Sequence, residues 1–202
     1  MSFNEFGSLE SVSIPINAEE ISVYQFNNCH LLKEITIPAN IVKIGGSAFG
    51  GCSNLKTVNI TSNKLTRIED CVFRYCYKLE NINIPDCVTF INDWAFCECT
   101  SLKNIRLPNE LLTLNNNVFY ICSSLLSITI PNKTNTINAE CFNGCSVLES
   151  VFIPKSVTFI NHDAFGSCPN LTIYCEAESQ PETWHDNWNA DNLPVVWGYS
   201  GE

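Results

Sequence analysis

Ile84-Pro85-Asp86-Cys87-Val88-Thr89-Phe90-Ile91-Asn92-Asp93-Trp94-Ala95-Phe96-Cys97-Glu98-Cys99-Thr100-Ser101-Leu102-Lys103-Asn104-Ile105-Arg106-Leu107-Pro108 is one unit of a pattern that runs through the whole chain. Its frame Phe-x-x-Cys-x-x-Leu recurs at Phe26/Cys29/Leu32, Phe49/Cys52/Leu55, Phe73/Cys76/Leu79, Phe96/Cys99/Leu102, Phe119/Cys122/Leu125, Phe142/Cys145/Leu148 and Phe165/Cys168/Leu171. The step is 23 residues, with a single 24 between Cys52 and Cys76. A fixed period of this size marks a solenoid, in which each unit buries its apolar face only by stacking on its neighbours.

Two periodicities alternate within the unit. The stretches around Val58/Ile60, Ile82/Ile84, Ile128/Ile130 and Val151/Ile153 alternate apolar with polar, which reads as a strand buried on one face. Ala-Phe-x-x-Cys-x-x-Leu instead repeats its apolar positions every third residue, and that suits one helical or 3₁₀ turn. Proline at 15, 38, 85, 108, 131 and 154 ends the strand, because it has no N–H to give to a ladder; Thr61 replaces it in the unit with the extra residue. Gly45, Asn92, Asn115, Asn138 and Asn161 follow the next isoleucine or leucine and are types that tolerate a left-handed backbone, so a sharp turn is expected at each.

These residues resemble the BspA-like leucine-rich repeats, the 23-residue class with Ile-Pro after the strand and Ala-Phe-x-x-Cys before the leucine. The likeness covers residues 3–171, and the tail through Trp184, Trp188 and Trp197 is similar to the family's C-terminal end unit. The resemblance implies an α/β solenoid: a curved right-handed superhelix with a parallel sheet on its concave side and turns, short strands and 3₁₀ or helical segments on its convex side. About eight units, the first incomplete, are expected over residues 1–170, and a capping segment over 171–202. Such domains often belong to surface or secreted proteins that bind host proteins or other cells, and the resemblance supplies no catalytic residues.

Composition narrows the partner. Net charge is −10 over 202 residues, and residues 170–202 hold six of the 21 acids and none of the 11 bases, so no phosphate-binding surface and no nucleic-acid partner are expected. No run of about 18 apolar residues exists, and the N-terminus has neither the basic nor the apolar region of a secretion signal, so no membrane insertion is expected and the compartment is not legible. Phe3 and Leu9 fall in repeat register, from which the chain is expected to begin inside a repeat. A first strand near Glu10–Ile14 would then have an unpaired edge open to self-association at the N-terminal end.

Seven of the 12 cysteines occupy one repeat position between core Phe and Leu, and read as small buried hydrophobes carrying free thiols. Cys97-x-Cys99 has zinc-like spacing but no histidine beside it, so no metal or other cofactor is expected. His30, His162 and His185 share no frame with a nucleophile, and no enzymatic activity is expected. Trp184, Trp188 and Trp197 read as cover for the apolar end of the last unit.

Function then falls to the outward residues of the strands. Asn81, Asn83, Asn104, Arg106, Ser127, Thr129, Ser150 and Phe152 form the candidate site, with Arg106 and Phe152 as anchors because Arg and aromatic side chains dominate interfaces. The expected role is a non-catalytic module recognising a protein, or alternatively a glycan. The competing reading is a spacer or stalk with no discrete ligand.

Overall fold

The computed structural model describes residues 9–201. Its strands in the first half of the chain are β1 (Glu20–Ile21), β2 (Glu34–Ile37), β3 (Lys43–Ile44), β4 (Thr57–Ile60), β5 (Arg67–Ile68), β6 (Asn81–Asn83) and β7 (Phe90–Ile91). They are followed by β8 (Thr113–Leu114), β9 (Ser127–Thr129), β10 (Thr136–Ile137), β11 (Ser150–Ile153), β12 (Phe159–Ile160), β13 (Thr172–Cys175) and β14 (Val195–Trp197). Every pairing is parallel and joins one turn of the chain to the next, giving a β-solenoid of about eight turns.

Each turn has three sides. The longer strands form one face, in the groups β2-β4-β6 and β9-β11-β13-β14, and the two-residue strands form a second, in the groups β1-β3 and β5-β7-β8-β10-β12. The third side is the Ala-Phe-x-x-Cys-x-x-Leu segment. The helical or 3₁₀ expectation fails there, since no helix occurs among the described residues. Two residues in each of these segments adopt a left-handed backbone, for example Cys71 and Tyr75 (φ 57° and 63°) and Trp94 and Glu98 (φ 60° and 58°). Alternate N–H groups therefore leave the segment. Arg74 and Cys76 donate back to Cys71 and Phe73, whereas Cys71, Phe73 and Tyr75 donate to Asp93, Ala95 and Cys97 of the next turn. A helix would direct these bonds along its own axis and leave the turns unjoined.

The left-handed residues are also displaced from the expected site. Gly45, Asn92, Asn115, Asn138 and Asn161 do not carry positive φ; Ser47, Trp94, Asn117, Glu140 and Asp163, two positions later, do. The asparagines serve a different purpose. Asn115 Nδ2 donates to Ile91 O (3.1 Å) and to Asn92 Oδ1 (3.3 Å), and Asn138 Nδ2 donates to Asn115 Oδ1 (3.2 Å), a side-chain ladder parallel to the stack.

Inside, the rings of Phe26, Phe49, Phe73, Phe96, Phe119, Phe142 and Phe165 stack at centroid spacings of 5.4–5.7 Å. Phe49, Phe96 and Phe142 are wholly buried, and all 12 cysteines are free thiols. The cysteine column has a polar role beside its apolar one: Cys76 Sγ donates to Phe49 O (3.3 Å), Cys99 Sγ to Phe73 O (3.3 Å) and Cys122 Sγ to Phe96 O (3.2 Å). A small side chain with a weak donor satisfies the carbonyl beneath it without needing water.

Two expected strands are missing. Residues 10–14 form none, so β2 is the first strand described in the longer sheet, and Phe3 lies outside the described residues. Residues 104–107 also form none, which splits that sheet between β6 and β9. The unit with the extra residue is held by Ser62, whose buried hydroxyl donates to Ile41 O (2.5 Å), while Thr61 uses the N–H that proline lacks to bond Ile37 O (2.9 Å).

Candidate functional site

The outward residues of the longer strands stand on one face. Asn81 and Asn83 lie on β6, in register with Thr57 and Asn59 of β4; Ser127 and Thr129 lie on β9, opposite Ser150 and Phe152 of β11. Between the two groups, Asn104 and Arg106 occupy the break. An open groove of about 460 Å³ lies there, lined by Asn104, Arg106, Asn109, Ser127, Thr129 and Pro131 among others.

Three of the predicted residues are not free in the way their types suggest. Asn83 accepts the Ile60 N–H at Oδ1 and donates from Nδ2 to Ile60 O, both at 2.9 Å, so its amide continues the ladder in place of backbone. Arg106 Nη2 reaches Asp86 at 2.8 and 3.0 Å, and the guanidinium together with the Asn109 N–H holds that carboxyl below its usual range. Both partners are more than half exposed, so the pair fixes the direction of Arg106 more than it stabilises the fold. Phe152 is half-buried rather than standing alone.

Phe152 belongs to an aromatic cluster that sequence reasoning missed. Tyr199 packs edge-on to Phe152 at 5.8 Å and tilts against Tyr174 at 4.8 Å. Strands β13 and β14 prolong the face, placing Tyr174 beside Phe152 and the 40 % exposed Val196 beside Tyr174. The signal was available, because Tyr174 follows Phe152 by 22 residues, one short of the period. Tyr199 had none, as its position depends on how the tail folds back. Behind this face Trp184 and Trp188 are buried, and Trp188 stands edge-on to Phe165, the end of the phenylalanine stack, at 6.3 Å.

Among the described residues no group of three or more His, Cys, Asp or Glu side chains is placed to hold a metal ion. Burial raises the thiols of Cys99, Cys145 and Cys168, placing Cys168 at about 11 and pushing the other two well above their ordinary value, so these three are not thiolates at neutral pH.

The chain has no match among curated proteins. Solved structures do match. A leucine-rich repeat protein from Bacteroides ovatus is 28% identical over 89% of this chain and 58% of its own, with a TM-score of 0.58. A leucine rich cell surface protein from Faecalibacterium prausnitzii is 26% identical over 94% of this chain and 62% of its own, with a TM-score of 0.57. A leucine-rich repeat protein of T. pallidum is 27% identical over 81% of this chain and 64% of its own, also with a TM-score of 0.57. The chain thus spans less than two thirds of each of these proteins. The family model described as BspA type leucine rich repeat region, in six copies, matches residues 1–85 and 66–180, and the chain belongs to that family.

Proposed function

We propose that this is a non-catalytic recognition module whose protein partner docks on the longer-strand face, between the groove at Arg106 and the cluster at Phe152. The observation that carries the reading is the cluster itself. Phe152, Tyr174 and Tyr199 interrupt a mainly polar face, and aromatic side chains packed but still partly open are the usual anchors of interfaces. Asn104, Ser127, Thr129 and Ser150 supply hydrogen bonds around it, Asn81 and Asn83 line a neighbouring depression that Asn104 shares, and the Asp86-braced Arg106 presents a fixed donor. Residues 171–202 close the end of the stack. The neighbour from F. prausnitzii, a cell surface protein, supports a surface setting, and an adhesion-type role on the surface or in secreted form is the reading proposed here.

The test is calorimetry on a partner captured with the intact chain, comparing it with the double variant Arg106→Ala, Phe152→Ser. A patch of this size supports micromolar affinity, and the variant should lose about tenfold or more. Unchanged affinity in a folded double variant moves binding off this face, a glycan captured instead of a protein replaces the partner class, and absence of any partner favours the spacer.

Self-association belongs to the other end. Ile16, Val23, Tyr24, Leu31 and Val42 are exposed there, and residues 11–14, which lie alongside β2, form no strand. Concentration-dependent mass should be abolished by Ile16→Lys with Val23→Lys. A dimer that persists in this variant and is lost on altering residues 171–202 contradicts the assignment.

A further inference from the structure

We infer that the longer-strand face is hinged at residues 104–107, its two halves opening and closing there about the other two sides of the coil. Among the described residues, no main-chain N–H or C=O of Asn104, Ile105, Arg106 or Leu107 makes a hydrogen bond, so one whole station of the ladder is unpaired on both sides. The loosening reaches its neighbours. Strands β6 and β9, which flank the break, have three residues each, whereas β4 and β11, one turn further out, have four. The inward column has the same centre: Ile105 is 8 % exposed and Ile82 half-buried, against 1–4 % for Ile35, Val58, Ile128 and Val151.

The other two sides of the same turns are intact. On the short-strand side β7 pairs with β8, Phe90 against Thr113 and Ile91 against Leu114. On the turn edge Phe73 N–H donates to Ala95 O at 2.9 Å and Phe96 N–H to Val118 O at 3.0 Å, and the rings of Phe73, Phe96 and Phe119 stack at 5.5 Å without a gap. A coil fastened on two sides and unfastened on the third bends about the fastened ones. The unpaired groups supply a reason to move. Ile105 and Leu107 are buried, and main-chain groups kept from water without a partner are costly. Closing pairs them with β6 and β9, and opening admits water to them, so either displacement lowers that cost. Asn81 and Asn83 stand on one half, and Ser127, Thr129, Ser150 and Phe152 on the other, so the motion sets the spacing between the two groups. The hinge is a property of the free chain and holds whether or not a partner docks on this face.

Two measurements on the full chain test it. Hydrogen exchange resolved to single amides at neutral pH should find Ile105, Arg106 and Leu107 exchanging on the order of a hundredfold faster than Val58 and Val151, whose strands are paired. Pulsed electron resonance reads the motion itself, with spin labels carried on a ketone-bearing amino acid so that the native thiols are left alone. One pair of labels replaces Glu34 and Ser150, across the break on the longer-strand face; the other replaces Val42 and Thr158, over the same number of turns on the short-strand side. Each pair spans about 24 Å by the sheet spacing, and the distance distribution of the first should be at least about twofold wider than that of the second. Circular dichroism confirms that the labelled chains are folded. Protection of the three amides equal to that of Val58 would show a closed ladder and overturn the hinge. Fast exchange with equal widths would mean a fixed gap, and broad distributions from both pairs a coil loose on every side; either result overturns it as well.

Discussion

Single residues carry geometry that repeats do not make uniform. Gly45 occupies the position held elsewhere by Asn92, Asn115, Asn138 and Asn161, yet a Cβ added there would stand 2.4 Å from Val23 N. Its backbone neighbour cannot yield as a flexible side chain would. Gly45→Ala should therefore cost about 2–3 kcal/mol in a urea melt, as overpacking does. Gly144 is a milder case, since its φ of +80° strains any side chain but the nearest contact, Ile121 Cγ1 at 2.9 Å, can shift. A melt in which Gly45→Ala is silent would show that the second turn relaxes to the conformation of its neighbours.

Elements here are stations in a ladder rather than independent strands, and several have only two residues. Two-residue strands cannot be stable alone, so side chains that bond along the stack supplement the backbone. Asn115 is the centre of one such column, donating to Asn92 and Ile91 and accepting from Asn138. Asn115→Ala should cost about 1–3 kcal/mol, because it leaves half-buried partners on both sides unmatched. Hydrogen exchange should show the loss spreading to β7, β8 and β10. A purely local effect would argue that the amide column is incidental.

At the scale of the molecule the columns make stability respond to pH collectively. Burial raises the thiols of Cys76, Cys99, Cys122, Cys141 and Cys145 far above their ordinary value and that of Cys175 to about 12. In the unfolded chain these groups lose protons above roughly pH 8.5, while the folded chain keeps them. The folded state then binds more protons than the unfolded one, so unfolding free energy falls with rising pH, by about 1.4 kcal/mol per pH unit for each such thiol between its two values. The chemical denaturation midpoint should be level below pH 8 and drop steeply toward pH 10.5. Replacing Cys99 and Cys122 by alanine should flatten that drop; an unchanged slope would assign it to lysine and tyrosine instead.

The parallel solenoid, most of its longer-strand stations and the buried Phe, Cys and Leu columns were legible in the chain because period and apolar spacing are properties of sequence alone, and stacking leaves no other way to bury them. The turn edge was not legible as non-helical, since spacing by three is compatible with either state. The choice depends on whether N–H groups find acceptors in the next turn, as Phe73 and Tyr75 do. Of the candidate site, the polar columns through Asn81, Ser127 and Ser150 could be read from alternation. The Asp86 brace on Arg106, the break at 104–107 and the contact of Tyr199 with Phe152 could not. Those three depend on groups brought together by the coil or by the tail folding back across it, and distances in space between such groups follow from the assembled stack rather than from their order along the chain.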